Sequence, residues 1–459
     1  MRRTLFLTSW LWLTLGWLQA QDISGSWYGL LEVPGASLTL VFNLQAVDSG
    51  YTATLDSPDQ GARGIPVTAI KWHDNALTLS VQPLGIHYSG SLVAADSIAG
   101  TFTQRGLVLP LSLSRHKPVK KKPPRPQEPH PPWPYRTEDI RFFNPYDSIM
   151  LAGTLTLPAA EGPFPAIVLI SGSGPQNRNE EIAGHKPFLV LADHLTRKGF
   201  AVLRYDDRGT ASSGGTFARA LSSDFARDAA AALDYLHTRS DINPQQTGLL
   251  GHSEGGLVAI MLAAQRPEVA FLVLLAAPGV PGDQLLLAQQ EAIYRQSGMS
   301  EAAWQQIKAF NKGAFELVKN TPDSTHLSSR LYEYFITQLD NNPLLNMSGM
   351  PAEEFVNLQI RQLTNPWMAA FIRYDPRPDL ARVSCPVLAL NGSRDLQVPP
   401  GQNLTAIKQA LEENGNNQVV AKELPGLNHL MQHAETGLPT EYSQIDETIA
   451  PQVLEIITE

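Results

Sequence analysis

The chain has 459 residues, a length that predicts about two to four domains and a large buried core. With 43% hydrophobic and 17% charged residues, the composition excludes a disordered or fibrous protein. A net charge of −9 argues against a nucleic-acid partner, which would need a basic face. The single cysteine, Cys385, excludes an intramolecular disulfide, a multi-cysteine zinc site and a CxxC redox motif.

Residues 1–20 have the layout of a signal peptide. Arg2 and Arg3 precede an apolar stretch, and Ala20 supplies a small residue at the end. The apolar run of about 14 residues is shorter than the roughly 20 that a membrane span needs. We therefore predict cleavage after Ala20 and a mature chain without a membrane span, exported to the periplasm or the medium.

Residues 21–115 are predicted to form a small all-β domain. Apolar residues alternate with other residues in two segments, at Leu38, Leu40, Phe42 and Leu44 and again at Leu77, Leu79 and Val81. A period of two indicates half-buried strands, and turn signals such as Asp74-Asn75 separate them. Short strands spaced in this way are typical of a sandwich or barrel. We find no cluster of catalytic residues in this segment.

Residues 116–136 form a linker that is rich in proline, lysine and arginine. Proline at this density favours extended polyproline II conformation and prevents a packed core. The preferred interpretation is a semi-rigid spacer. The alternatives are contact with an anionic surface and a ligand for a proline-binding module.

Residues 137–459 alternate between strands and helices, which predicts an α/β domain with a mostly parallel sheet. The predicted strands are 149–157, 166–170, 201–205, 248–250, 271–275, 386–390 and 419–424, and the predicted helices include 188–198, 223–238, 404–412 and 445–457. Residues 281–380 interrupt this rhythm with helical, aromatic-rich sequence. An insertion between two strands of the sheet predicts a helical cap over the active face, with the aromatic side chains also forming its own core.

The segment Gly251-His252-Ser253-Glu254-Gly255 is a G-x-S-x-G motif between an apolar strand and a helix. Strand, tight turn and helix together are typical of a nucleophile elbow, in which the serine has a strained backbone and stands above the N-terminus of the helix. Small residues are needed two positions before and after the serine because side chains there would collide. The motif predicts Ser253 as a nucleophile.

A serine nucleophile needs a base and an acid that orients the base. Downstream, Asp395 follows the strand at 386–390 and His429 follows the strand at 419–424, in the chain order Ser, Asp, His. We predict His429 as general base and then acid, and Asp395 as its orienting acid. The rival residues are His433, one helical turn further on, His252, which we expect to point away, and Asp375, which we expect in a turn.

The oxyanion of a tetrahedral intermediate needs backbone donors. One is predicted to be the N–H of Glu254, directly after the nucleophile. The second is predicted in the loop Ser171-Gly172-Ser173-Gly174-Pro175, where glycine allows close approach to the substrate. We assign it to Ser173, with Gly174 as the neighbouring alternative.

Charged residues follow the strand at 201–205, in the segment Asp206-Asp207-Arg208, and also lie in the glycine-rich loop, at Arg178 and Glu180. We favour internal ion pairs that fix these loops over substrate contacts. Cys385 is expected to be a buried filler. Since the chain has no HExxH, P-loop or Rossmann glycine pattern, neither a metal ion nor a cofactor is implied.

At these residues the chain resembles the α/β-hydrolase superfamily. Within 137–459, the segments SGSGPQNRN, YDDRG, GHSEGG, LNGSRDLQVPP and LPGLNHL are similar to those of dienelactone-hydrolase-like and acyl-peptidase-like bacterial esterases. The resemblance implies a cofactor-free enzyme that cleaves carboxylic esters, commonly with short acyl groups. Dienelactone hydrolases proper use a cysteine nucleophile, so Ser253 argues against that activity.

The sequence thus predicts an exported serine hydrolase, an α/β-hydrolase fold with a helical cap behind a small all-β domain. Its expected partner is a small-molecule ester with a short to medium acyl chain. A peptidase or a thioesterase with the same three residues is the alternative, and a non-catalytic binding protein is a third reading. The oligomeric state and the role of the β-domain stay open.

Overall fold

The computed structural model describes residues 22–33, 36–48, 50–60, 62–104, 107–118, 124–296, 298–342, 345–346 and 351–459. The predicted signal peptide, residues 1–20, lies outside this part of the chain. The chain divides into two compact units, Met1–Lys121 and Lys122–Glu459. None of the helices in the described part of the chain is long and apolar enough to cross a membrane.

The first unit is all-β, as predicted. Its strands pair antiparallel in one sheet of order β4-β3-β2-β1-β10-β8-β7-β6-β5, with β9 beside β8. Alternate side chains, including Trp27, Phe42 and Tyr88, are buried in its core. The strands are β1 Gly25–Val33, β2 Ala36–Val47, β3 Gly50–Ser57, β4 Ala62–Pro66, β5 Ala69–His73, β6 Ala76–Val81, β7 Ile86–Ala94, β8 Ser97–Gln104, β9 Leu107–Pro110 and β10 Leu113–Ser114.

The second unit contains an eight-stranded sheet of order β11-β12-β14-β13-β15-β16-β17-β18. The pairs from β14 through β18 are parallel, whereas β11 and β12 run antiparallel at one edge. β11 is absent from the sequence-based assignment. The strands are β11 Arg136–Asn144, β12 Ile149–Leu157, β13 Phe164–Ile170, β14 Ala201–Tyr205, β15 Ile242–His252, β16 Leu272–Leu275, β17 Val387–Gly392 and β18 Val419–Leu424.

Helices cover both faces of this sheet. They are α1 Pro187–Arg197, α2 Ser222–His237, α3 Glu254–Ala263, α4 Gly282–Gln296, α5 Glu301–Asn320, α6 Ser324–Asn341, α7 Ala352–Leu363, α8 Pro366–Arg373, α9 Arg377–Leu380, α10 Pro400–Glu412 and α11 Pro451–Thr458. The prediction of a helix over 445–457 was too long, because α11 begins at Pro451, whose fixed φ suits a first helical turn.

Two hydrophobic cores sandwich the sheet. Val168 and Ile170 of β13 face a core that contains residues of α2, α3 and α10, whereas Ile167 and Leu169 face a core with residues of α1 and α11. Burial on both faces explains why these parallel strands are almost continuously apolar. The arrangement brings the carboxyl ends of the strands from β14 to β18 to one edge, where polar loops follow.

Helices α4 to α8 lie between β16 and β17 in the chain and have a core of their own. Trp304, Phe310, Phe315 and Phe335 are at most 5% exposed in it. The predicted aromatic core of the insertion is therefore present.

The predicted linker 116–136 falls on both sides of the division between the two units. Its described second half, residues 124–135, binds to the second unit. Arg125 donates to the carbonyl oxygens of Ser443 and Ile445 at 3.0 and 2.7 Å, and Gln127 donates to that of Ile449 at 2.6 Å. We call residues 124–135 the strap, because hydrogen bonds attach this part of the predicted semi-rigid spacer to the second unit.

Candidate active site

Ser253 stands at the turn between β15 and α3, with φ 54° and ψ −121°. A non-glycine residue avoids positive φ, so this conformation is strained. Close packing on both sides fixes it. A Cβ atom on Gly251 would lie 2.2 Å from the Gly255 carbonyl oxygen, and one on Gly255 would lie 2.1 Å from that of Ile170. The two glycines of the motif are therefore sterically required.

The structure brings the three predicted residues Ser253, His429 and Asp395 together. His429 Nε2 is 3.1 Å from Ser253 Oγ, and His429 Nδ1 is 2.8 Å from Asp395 Oδ2. Asp395 is 2% exposed, and its other oxygen accepts the backbone N–H groups of Gln397 and Val398, both at 2.8 Å. These bonds fix the carboxylate, which in turn fixes the ring of His429 with Nε2 towards the serine.

The rival residues have other partners. The His433 side chain is 58% exposed and pairs with Glu447, while Asp375 pairs with Arg377 at 2.6 Å. His252 is buried and points away from Ser253 Oγ. Its ring contacts Glu180 Oε1 and the His429 carbonyl oxygen, both at 2.9 Å.

The glycine-rich loop after β13 lies against the serine. A Cβ on Gly172 would be 3.2 Å from Ser253 Cβ, and the Gly172 N–H donates to Glu180 Oε1 at 2.7 Å. Within the described residues, the N–H groups of Ser173 and Glu254 donate to no protein acceptor. Neither of the two predicted oxyanion donors is thus occupied by a protein acceptor in the described part of the chain.

Asp207 holds this loop from below. Its carboxyl oxygens accept the Ser171 hydroxyl at 2.8 Å and the Gln176 N–H at 2.9 Å. Burial is the main cause that raises the Asp207 pKa to about 7, against the lowering effect of these two bonds.

Asp206 and Arg208 form internal ion pairs, as predicted, whereas Asp207 bonds to the Ser171 hydroxyl and the Gln176 N–H instead. Asp206 pairs with Arg178 at 2.8 Å, and Arg208 pairs with Asp228 at 2.7 Å. They fix the loops that surround the site. Cys385 is half-buried, and burial raises its thiol pKa to about 11, which keeps it protonated at neutral pH.

Sequence reasoning missed the role of the Glu254 side chain. Its Oε1 accepts the Ser222 hydroxyl at 2.6 Å and the Trp367 indole N–H at 2.7 Å. Burial raises the pKa of this carboxyl above its usual range. Because Trp367 is 113 residues away in the chain, no local pattern could have signalled this contact.

Comparison with known families identifies the second unit. The family model "Hydrolase_4: Serine aminopeptidase, S33" matches residues 186–436, more than half of the chain and the stretch that carries Ser253, Asp395 and His429. The chain belongs to this family. The α/β-hydrolase expectation from the sequence is thereby confirmed, and it agrees with the parallel sheet and the strand–turn–helix at Ser253.

The individual relatives of this hydrolase share about a third or less of its residues over the matched segments. Esterase EstD of Thermotoga maritima is 27% identical over 307 residues, which cover 66% of this chain and 64% of that esterase. The match thus spans less than two thirds of the relative. Putative hydrolase YtaP of Bacillus subtilis is 31% identical over 120 residues, covering 23% of this chain and 40% of that protein.

Among solved structures, the Pyrococcus furiosus esterase PF2001 matches with a TM-score of 0.41 and 14% identity, over 68% of this chain and 91% of that one. Est1E from Butyrivibrio proteoclasticus, solved with ferulic acid, matches with a TM-score of 0.39 and 14% identity, over 70% and 94% of the two chains.

Proposed function

We propose that the protein is an exported serine hydrolase that cleaves carboxylic esters with short to medium acyl chains. The observation that carries the proposal is the chain of contacts from Ser253 Oγ through the His429 ring to the Asp395 carboxylate, at 3.1 and 2.8 Å. A serine hydroxyl is a weak nucleophile until a base stands within hydrogen-bond reach, and this arrangement supplies one.

In the proposed mechanism, His429 Nε2 takes the proton of Ser253 as Oγ attacks the ester carbonyl. The N–H groups of Ser173 and Glu254 stabilise the oxyanion, aided by the N-terminus of α3. His429 then passes the proton to the leaving alcohol, and an acyl-enzyme forms at Ser253. Water, activated by His429, hydrolyses the acyl-enzyme and restores the serine. Asp395 orients the His429 ring and stabilises the imidazolium that forms.

We also propose that α4 to α8 form the cap of this site. Trp367 of α8 contacts Glu254 beside the nucleophile, and Leu285 and Phe371 of the insertion pack in one cluster with Leu257 of α3. A cavity of about 590 Å³ lies within the insertion, where it is lined by Trp367, by apolar side chains such as Phe315 and Phe335, by carboxamides and by Arg361. Its size and partly apolar wall suit an acyl chain.

The second candidate is an aminopeptidase, which the description of the matching family favours. An aminopeptidase must bind a protonated α-amine, and a carboxylate is the usual partner for such a cation. None of the described residues that line the cavity is Asp or Glu. We therefore favour uncharged esters over peptides as substrates.

The decisive variant is Ser253→Ala in the full chain. Turnover of p-nitrophenyl esters should fall by about 10³-fold or more, because the oxygen that forms the acyl-enzyme is gone. A fluorophosphonate should label the wild type at Ser253 and leave the variant unlabelled. Unchanged ester hydrolysis by the folded variant would refute the mechanism. Faster cleavage of aminoacyl anilides or acyl thioesters than of esters would show that the protein is a peptidase or a thioesterase instead.

Export is tested separately. In a bacterial host, the mature protein should be recovered outside the cytoplasm with Gln21 as its first residue, because the basic and apolar segments of 1–20 match an export signal. N-terminal sequencing of the fractionated protein measures this. Replacing both Arg2 and Arg3 by Glu should leave the uncleaved chain inside. A wild type that retains Met1 would contradict the export proposal.

A further inference from the structure

Two buried ionisable side chains lie beside Ser253 without contacting its hydroxyl. Glu180 is 1% exposed and follows the glycine-rich loop, and His252 is 5% exposed and precedes the serine. His252 Nδ1 is 2.9 Å from Glu180 Oε1, and its Nε2 is 2.9 Å from the His429 carbonyl oxygen. The Gly172 N–H donates to the same Glu180 oxygen at 2.7 Å. One carboxylate and one ring thus connect three separate loops.

Both atoms that face the His252 ring are acceptors, a carboxylate oxygen and a carbonyl oxygen. A neutral imidazole carries one N–H, whereas an imidazolium carries two and donates both bonds. Burial lowers the His252 pKa, but the charge and hydrogen bond of Glu180 outweigh it, and the pKa rises to about 8. Asp395 adds a further negative charge, and the His429 ring lies 5.0 Å from the His252 ring.

We propose that Glu180 and His252 form a buried ion pair that positions the oxyanion loop, through Gly172, and the backbone of His429 around Ser253. The proposal rests on the hydrolase function proposed above. Both are positioning residues, because each acts through a neighbour and neither touches the reacting atoms. Loss of the ring proton at alkaline pH leaves one of the two acceptors without a donor and releases a loop.

Glu180→Gln separates charge from shape. The amide oxygen still accepts the two bonds that converge on Oε1, so the variant removes only the negative charge. The pKa of the His252 ring, followed by NMR of the ¹³C-labelled histidines in the full chain, should fall by about one to three pH units. The pH at which kcat/KM for a p-nitrophenyl ester declines on the alkaline side should fall together with this pKa.

The matched control is Glu447→Gln. Glu447 pairs with the exposed His433 at 2.9 Å, in the loop that follows His429. It is the same substitution at another histidine–carboxylate pair, so it should leave both the His252 titration and the pH profile unchanged. His252→Ala, which deletes both bonds, should lower kcat by about 100-fold with a smaller change in KM, because about 1 Å of misplacement at a reacting centre costs that much.

The ring titration is repeated in the Ser253→Ala protein, where it needs no turnover. A His252 ring that is neutral at pH 7 there would overturn the ion pair. An alkaline limb that stays in place in Glu180→Gln would overturn the positioning role. Wild-type protein that neither hydrolyses esters nor reacts with fluorophosphonate would instead refute the hydrolase function. The titration of His252 does not depend on that function, so the two failures can be told apart.

Discussion

Ser253 has a backbone conformation that only its immediate surroundings make tolerable. Gly251 and Gly255 leave the space for it, and the Ser253 N–H donates to the Leu275 carbonyl oxygen at 2.8 Å. The Asp395 carboxylate is fixed in a comparable way by two backbone N–H groups. At the scale of single residues, short-range sterics therefore fix the backbone of Ser253, and hydrogen bonds fix the orientation of the Asp395 carboxylate.

Asp395→Asn tests this precision at one atom. The Asn oxygen would keep the bonds from Gln397 and Val398 and turn its NH₂ group to His429 Nδ1. That donor would force the proton of the neutral ring to Nε2, where it cannot accept from Ser253. We expect kcat to fall by about 10⁴-fold with little change in stability.

Rates of ester hydrolysis by the wild type and by Asp395→Asn measure the change in kcat, and their thermal unfolding measures the change in stability. Asp375→Asn, at the rival carboxylate, is the control and should keep near wild-type turnover. Comparable losses in both variants would contradict the role of Asp395.

At the scale of elements, the site depends on how loops are attached to the edge of the sheet. The parallel strands end at one edge, so the loops after β13, β15, β17 and β18 converge there. The strap, residues 124–135, reinforces two of the surrounding segments. Arg125 donates to the Gly184 carbonyl at 3.2 Å, near Glu180, and to Ser443 and Ile445, beyond His429. A proline-rich segment thus stiffens the frame of the site.

Arg125→Ala should lower the free energy of unfolding of the second unit by about 1–2 kcal/mol, because several charge-assisted bonds to carbonyl groups are lost from a partly exposed side chain. Urea denaturation measures the stability. Hydrogen exchange should show faster exchange in residues 443–449. Lys117→Ala, at an exposed basic residue of the same linker, is the control and should change neither. Unaltered exchange in 443–449 would show that the strap does not stabilise this segment.

At the scale of the molecule, the proposed chemistry and the proposed acyl selectivity belong to different parts of the second unit. Loops at the edge of the sheet carry Ser253, Asp395 and His429, and the insertion contains the cavity that Trp367 helps to line. Since the insertion has its own core, its cavity can change without disturbing the sheet.

Ala314→Phe would place a ring in the cavity wall on α5. If the acyl chain occupies this cavity, kcat/KM for p-nitrophenyl octanoate should fall by about tenfold or more, whereas that for the acetate should change little, because lost burial of several methylenes weakens binding. Ala302→Phe adds the same ring at an exposed position of α5 and should change kcat/KM for neither ester. Equal losses for both esters would argue against the cavity as the acyl site.

Much of the fold and of the candidate site could be predicted from the chain alone. The glycines around Ser253, the apolar strands and the polar loops after them are local features, since sterics and periodicity act over a few residues. The order of those strands then predicted that Asp395 and His429 would meet Ser253, which they do. β11 was missed because an edge strand lacks the continuous apolar pattern of a buried one.

Only the tertiary structure decided which distant groups share a hydrogen bond. Glu180 with His252, Glu254 with Trp367, and Arg125 with the segment beyond His429 are each separated by 72 to 320 residues. Such pairs leave no periodic trace, because any acceptor of suitable geometry can satisfy a buried donor. The sequence by itself determined the kind of sheet and the three groups at its edge. Packing in the folded chain decided which buried charged side chains contact the segments that carry these three groups.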